Sequence, residues 1–384
     1  MSAAADEDRL ARAVLTCIAE PGDAAMGVLL RTCPPAAIVG ALTEGTPPAG
    51  ASEIPGISRA LRRWTARLGS APTTVTLDGW RRAGIRLLCP GDPGWPGQLD
   101  VLGDARPWGL WTRGSADLRF ACLRSVSIVG TRAATSYGAH VCLEMSAALA
   151  ERGWAVVSGG AFGIDRCAHQ GALTAEGITV AVLASGVDEP YPLSHHELFE
   201  AIAAQGVLVS EWPPGRRPTR PGFLVRNRVI TALSRGTVVI EAALRSGALN
   251  TARHAHGQCR PLMAVPGPVT SAASAGCHEL IREWGAVCVT GARDVLENLA
   301  FPGDDVPPAL PGPMLPSPVL PREALDPLSQ QVLEAVPARI GRGPARIAVS
   351  AGVDFDTALR CLGGLAAGGF VERYERGWRL RRHG

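Results

Sequence analysis

The chain has no lysine; all 38 of its basic residues are arginine. Two chemistries fall away with lysine. A Schiff base needs the lysine amine, and a GxxxxGK phosphate loop needs lysine on the phosphates. Paired cysteine motifs are missing too. The ten cysteines, at 17, 33, 89, 122, 142, 167, 259, 277, 288 and 361, never form C-x-x-C, so no zinc ribbon is expected. In a long chain without an export signal they read as reduced core thiols. No run of 18 apolar residues occurs, so no transmembrane helix and no membrane insertion are expected. The acidic start MSAAADEDRL lacks the basic and apolar regions of a signal peptide. These features point to the cytoplasm. H-E-x-x-H and G-x-S-x-G are absent, so hydrolytic chemistry has little support. The net charge of +3 is too small to mark the whole chain as polyanion-binding. Any such site must be a local concentration of charge.

What is present organises into segments. With 384 residues and 46% apolar content, the chain supports packed cores in roughly two or three domains. The clearest break is 302–321, where eight of twenty residues are proline. Such a stretch lacks amide donors and reads as an extended linker. Residues 1–100 read as short helices, among them ARAVLTCIAE and RALRRWTARL. EIPGISRAL (53–61) reads either as a helix-hairpin-helix turn or as an ordinary helical packing unit.

From 125 to 300 short apolar runs alternate with helical patterns. The runs are SVSIVG (125–130), WAVVS (154–158), ITVAVL (178–183), VLVS (207–210), TVVIE (237–241), LMAVP (262–266) and AVCV (286–289). They are β-branched and nearly continuous, as strands buried on both faces of a parallel sheet are. The pattern predicts an α/β fold with a doubly wound parallel sheet. Residues 326–384 give three short helices and a hairpin, the order of a winged helix.

In such a sheet, ligands bind where strand carboxyl ends feed helix N-termini. Three loops there are rich in glycine and hydroxyl groups. In VGTRAATSYG, Gly130 permits a tight turn, Thr131 and the following amides offer donors, and Arg132 adds a charge-assisted donor. It is not G-x-G-x-x-G, so no dinucleotide cofactor is expected. In VVSGGAFGID, Ser158, Gly159 and Gly160 leave little side chain between backbone and ligand, and Asp165 reads as a helix cap. In IEAALRSGALNTA, Ser246, Gly247 and Thr251 are further donors. Asp188 and Glu189 follow the third strand and read best as turn residues.

The strongest electrostatic feature is 212–240, with six arginines and no acid in 29 residues. A local +6 is the footprint of a polyanion site. Its helix PGFLVRNRVITALSRG buries Val225, Val229, Ala232 and Leu233, with Asn227 on the opposite side. Arg226 and Arg228 lie about 200° apart and flank that stripe. Either both reach a ligand and a buried acid, or one closes a structural ion pair. Glu211 and Glu241 are the candidate partners.

SIVGTRAATSYG, VVSGGAFGIDRCAHQGAL, AVLASGVDEPYP, the long LVSEWPPGRRPTRPGFLVRNRVITALSRGTVVIEAALRSGALNTA and AVPGP occur in this order. Together they resemble the DNA-processing protein A family (DprA, also called Smf). The resemblance implies an extended Rossmann-like domain (106–301) after an N-terminal helical domain (1–105, SAM or helix-hairpin-helix-like). A linker (302–322) and a winged helix (323–384) would follow. It implies a cytoplasmic, dimeric binder of single-stranded DNA that loads the RecA recombinase during transformation or recombination. No catalytic residue, metal or cofactor is implied. The DNA-binding set is Gly130, Thr131, Arg132, Ser158, Gly159, Gly160, Phe162, Arg226, Asn227, Arg228, Ser246 and Gly247. Phe162 stands where the family often has arginine, exchanging a cation for a ring on which a base can stack. In the winged helix, Asp354 and Asp356 would repel phosphates, while Arg373, Arg376, Arg379, Arg381 and Arg382 line the wing. A protein-contact role is favoured there. One rival is a nucleotide phosphoribohydrolase of the lonely-guy type with Glu241 as its acid, although the P-G-G-x-G-T-x-x-E run is missing. Another is a partner-binding scaffold that needs no nucleic acid.

Overall fold

The computed structural model describes residues 3–299, 325–338, 340–374 and 377–381. The chain forms two compact units, Met1–Val306 and Pro307–Gly384. The proline-rich linker expected at 302–322 lies outside the described residues.

The first unit opens with α1 (Ala3–Ile18), α2 (Ala24–Thr32), α3 (Pro35–Thr43), α4 (Ile57–Thr65) and α5 (Thr74–Arg82). The first four close over Leu15, Ile18, Met26, Leu29, Ile38 and Trp64, while Leu77 and Trp80 of α5 pack on the core that holds Ile85, Leu87 and Trp111. No single helix among the described residues is long and apolar enough to cross a membrane. α2 and α3 would suffice together, but they meet at 113° and bury Leu29, Ile38 and Leu42 in the helical core.

A nine-stranded sheet follows. Its strands are β1 (Ile85–Leu88), β2 (Leu110–Gly114), β3 (Ser125–Val129), β4 (Ala155–Ser158) and β5 (Thr179–Leu183), then β6 (Val207–Ser210), β7 (Thr237–Val239), β8 (Leu262–Ala264) and β9 (Val287–Cys288). Between them lie α6 (Leu118–Leu123), α7 (Ser136–Ala150), α8 (Ile164–Thr174), α9 (His196–Gln205), α10 (Arg220–Leu233), α11 (Gly247–Gly257) and α12 (Ala275–Glu283). α13 (Ala292–Leu299) comes last. All seven strands expected from the apolar runs are present, and the doubly wound sheet stands. β3 to β6 are buried along their whole length. Apolar residues on both faces were the sequence signature of that position.

The helical reading of 1–100 needs correction. β1 comes from that segment and pairs antiparallel with β2, which pairs antiparallel with β6. Ile85 and Leu87 turn inward while Arg86 stays exposed. Four residues of alternation are too few to stand out from a helical pattern.

The strand order is β1-β2-β6-β5-β4-β3-β7-β8-β9. β3 to β9 run parallel, so their carboxyl ends share one edge. The chain winds outward from β3 through β4, β5 and β6, then restarts on the other side at β7. That reversal is the switch point at which open sheets bind ligands. The helices there start cleanly. Thr135 caps α7 by accepting from Gly138 N at 3.1 Å, and Thr219 caps α10 by accepting from Gly222 N at 3.2 Å. α8 starts at Gly163, whose φ is +74°; a side chain there would meet the carbonyls of Thr131 and Arg132.

The second unit contains α14 (Pro327–Glu334), α15 (Pro344–Ala351) and α16 (Phe355–Ala367), then the hairpin of β10 (Val371–Tyr374) and β11 (Gly377–Leu380). Val332, Ile347, Leu362, Leu365 and Val371 form its core. This is the three-helix and hairpin order of the expected winged helix. Asp354 caps α16 by accepting from Thr357 N at 2.9 Å. Arg379 pairs with Glu372 and lies 3.8 Å from the Tyr374 ring centroid. Arg376 and Arg382 lie outside the described residues.

Candidate nucleic-acid interface

The loops after β3, β4 and β7 and the first turns of α10 enclose a cavity of about 280 Å³. Thr251 lines it, as do seven of the twelve residues in the DNA-binding set: Gly130, Thr131, Arg132, Arg226, Asn227, Ser246 and Gly247. The others lie elsewhere.

The first loop is built tightly. A Cβ on Gly130 would sit 2.5 Å from Ile164 Cγ1. Thr131 N donates to Glu241 O at 2.8 Å, and Thr131 O accepts from Ile164 N at 3.1 Å. The Thr131 amide is therefore spent inside the fold, contrary to the expectation that it serves a ligand. Thr131 Oγ1 accepts from Ala133 N at 3.3 Å, which leaves its hydroxyl proton to donate. Arg132 is exposed, and its guanidinium lies 4.9 Å from the Phe223 ring. No carboxylate among the described residues is within ion-pair distance of it.

The N-terminus of α7 already holds an anion. The buried Glu241 carboxylate accepts from Thr135 N at 3.0 Å and from Thr135 Oγ1 at 2.6 Å. Gly138 packs directly on that carboxylate. This internal charge neutralises the helix end. The N-terminus of α11 is different. Ser246 holds its capping position but makes no capping bond. Its hydroxyl is buried without a partner among the described residues and belongs to the cavity wall. A buried hydroxyl in that state gains a hydrogen bond when an anion enters.

Arg226 is the cavity's inner cation. Its Nη1 donates to Gly159 O at 2.7 Å and to Val182 O, and its Nε donates to Asn227 Oδ1 at 3.1 Å. Nη2 takes part in none of these bonds. Burial lowers its pKa to about 10, against the attraction of Asp165. It remains charged at neutral pH. Burial raises the Asp165 pKa, and Arg226 is the chief opposing influence. Gly159 is required here because a Cβ would lie 2.5 Å from the Arg226 nitrogens.

Arg228 is not part of the cavity. It forms a two-pronged pair with Glu211, at 2.5 and 2.8 Å, and both side chains are buried. The α1–α2 turn packs over it, with Gly22 against the guanidinium. Of the two alternatives for the flanking arginines, the structural ion pair holds for Arg228. Asn227, expected opposite the buried stripe, is itself buried in the cavity wall.

The second glycine loop supports the cavity from behind. Ser158 Oγ donates to Ile128 O at 2.7 Å, away from the cavity. Gly160, with φ +70°, packs on the Phe199 ring. Phe162 is 46% exposed and stands edge-on to His195 at 4.7 Å, one residue from the cavity-lining Ala161.

Sequence reasoning missed two wall residues. Asp165 is not the cap of α8; Gly163 holds that position, and Asp165 is the second residue of the first turn, in the cavity wall. Phe223 was not singled out. Its spacing from Arg226 carried the signal, since residues three apart share a helix face.

The family model for DNA recombination-mediator protein A matches residues 86–300. A DprA relative from Mycobacterium tuberculosis is 42% identical over 392 residues, covering 99% of this chain and 96% of its own. The chain belongs to the DNA recombination-mediator protein A family. The match of 86–300 contains every DprA-type residue chosen from sequence. Among solved structures, DprA of Streptococcus pneumoniae superposes with a TM-score of 0.60 at 28% identity, covering 77% of this chain and 99% of that one. DprA of Helicobacter pylori, described for its single-stranded DNA binding mode, gives a TM-score of 0.50 at 29% identity. It covers 56% of this chain and 95% of its own.

Proposed function

We propose that this DprA-family chain binds single-stranded DNA in the cavity at the β3/β7 switch point and presents it to a RecA-type recombinase. One observation carries the reading: Arg132, Arg226 and the unpartnered Ser246 hydroxyl converge on one cavity. Anions are held by such combinations of guanidinium and helix-end donors. Gly130, Thr131, Asn227 and Gly247 shape the wall. Gly159 acts from behind it by fixing Arg226, Ser158 and Gly160 hold the loop that carries Gly159, and Phe162 offers a ring to an adjacent base. The protein works as a binder rather than an enzyme, in the cytoplasm and as a homodimer, with the winged helix as an accessory protein-contact domain. The domain limits 1–105, 106–301, 302–322 and 323–384 are kept for function, although β1 joins the sheet from within the first.

The phosphoribohydrolase rival needs a free acid at Glu241, whereas that carboxylate is committed to Thr135. Titration of the full chain with oligo-dT and with duplex at two salt concentrations tests the reading. Tighter binding to oligo-dT, with affinity falling steeply as salt rises, is expected. Equal affinity for duplex, or none for either, would remove it.

A further inference from the structure

The cavity accommodates little more than one nucleotide, yet the surface around it continues in the same chemistry. Seven of the thirteen exposed large apolar side chains described in the first unit stand at the carboxyl edge of the sheet or on the first helical turns beyond it. Beyond β5 are Tyr191, 46% exposed, and Leu193, 78% exposed. Phe162 follows β4. Beyond β7 comes Leu244, 57% exposed, and beyond β8 Val269, 88% exposed. The rings are held in place: Phe162 against His195, and Tyr191 edge-on to Phe223 at 6.0 Å. Stacking a base on a ring already fixed costs little side-chain entropy.

Exposed arginines alternate with these apolar groups. Arg217 and Arg220 follow β6, Arg166 follows β4, Arg132 follows β3 and Arg245 follows β7. None has a carboxylate within ion-pair distance among the described residues. In the loop beyond β5, Asp188 accepts from Gly215 N at 2.7 Å. Interleaved cations and bare apolar groups are what an unpaired strand needs, with phosphates on the first and bases on the second. A duplex hides its bases and gains nothing from the second set.

We propose that the bound strand crosses the whole carboxyl edge, from the 217–220 loop beyond β6 to Leu244, Arg245 and Val269 beyond β7 and β8. Leu244, Arg245 and Val269, none of which lines the cavity, thus form a second contact area that starts just outside its Ser246 and Gly247 wall. Six neighbouring strands, β6 to β8, span about 24 Å at roughly 4.8 Å per gap. An extended strand advances roughly 6 Å per phosphate, so the face holds about four nucleotides, at the low end of single-strand sites. This deepens the single-strand reading above and rests on it.

The test is anisotropy competition with dT3 and dT8 on the full chain. The variants are the Leu244→Ser, Arg245→Ser double substitution and Ile178→Ser. Ile178 is 41% exposed at the opposite, amino edge, so it serves as the control. The wild type should bind dT8 at least tenfold tighter than dT3. The double variant should keep dT3 affinity within about twofold and lose about tenfold on dT8. Its salt slope on dT8 should shrink by about 0.7, the loss of one phosphate contact. The Ile178 variant should match the wild type. Wild-type dT8 affinity in the double variant, or equal wild-type affinity for dT3 and dT8, would overturn the extended footprint and leave the cavity reading standing. Failure of the wild type to bind either oligonucleotide would overturn both.

Discussion

Arg132 and Arg228 were both candidate DNA contacts, and the structure places them differently, Arg132 exposed at the cavity and Arg228 buried on Glu211, a difference that mutation can read. Arg228→Ala would leave Glu211 buried without the guanidinium that supplies both of its hydrogen bonds. Orphaning one member of a buried pair costs about 3–5 kcal/mol. For a unit of about 300 residues that corresponds to a fall in Tm of roughly 5–8 °C. DNA affinity of the folded protein, and its salt slope, should not change. Arg132→Ala removes an exposed side chain, so Tm should hold within about 0.5 kcal/mol of stability. It also deletes one charge-assisted bond to phosphate, worth about 1.5–3 kcal/mol, or roughly 10- to 150-fold in affinity. The salt slope on oligo-dT should fall by about 0.7. Thermal melts and anisotropy titrations at two salt concentrations read both quantities. A third variant guards against a trivial outcome. Replacing the pair together, Glu211→Met with Arg228→Met, should recover most of the lost Tm, because a buried pair can be exchanged for apolar packing with little loss. The reasoning is refuted if Arg228→Ala melts like the wild type, or if it lowers the salt slope as Arg132→Ala does.

Other outcomes follow from the same structure. His169 is fully buried, and burial chiefly lowers its pKa to about 3. Between pH 6.5 and about 3 the unfolded chain therefore binds the extra proton, so stability drops as the pH is lowered, by up to about 1.4 kcal/mol per unit. Urea midpoints at pH 7 and pH 5 should differ less in His169→Asn than in the wild type; an unchanged difference contradicts the assignment. Gly138→Ala drives a methyl into the Glu241 carboxylate and should cost about 1–3 kcal/mol. Gly40→Ala meets nothing within 4 Å inside α3 and should instead gain about 0.5–1 kcal/mol. Melts of the two should move in opposite directions. Phe162→Ala should melt like the wild type yet weaken oligo-dT binding by about 1–3 kcal/mol per stacked base, read by anisotropy.

The central sheet was legible because each strand is a short, continuous apolar run that needs no partner to be noticed. β1 was not, since Ile85 and Leu87 alternate over four residues beside helices. Gly130 and Arg132 stood out because a glycine followed by a cation after a buried strand has few structural uses. Arg226 and Arg228 could not be ranked from sequence. Two positions apart, they leave the helix on opposite sides, and the decision rests on Glu211 at the far end of β6. Thr131 was half right, because its amide is taken by a backbone carbonyl more than a hundred residues away. Asp165 was mistaken for a cap because Gly163, with its positive φ, starts the helix in its place.

The most direct test is a structure of the full chain with dT8 bound. A phosphate should lie within hydrogen-bond distance of Arg132, Arg226 and the Ser246 hydroxyl, with the strand crossing the carboxyl ends of β3 and β7. A strand seated elsewhere, with that cavity left to solvent, would contradict it.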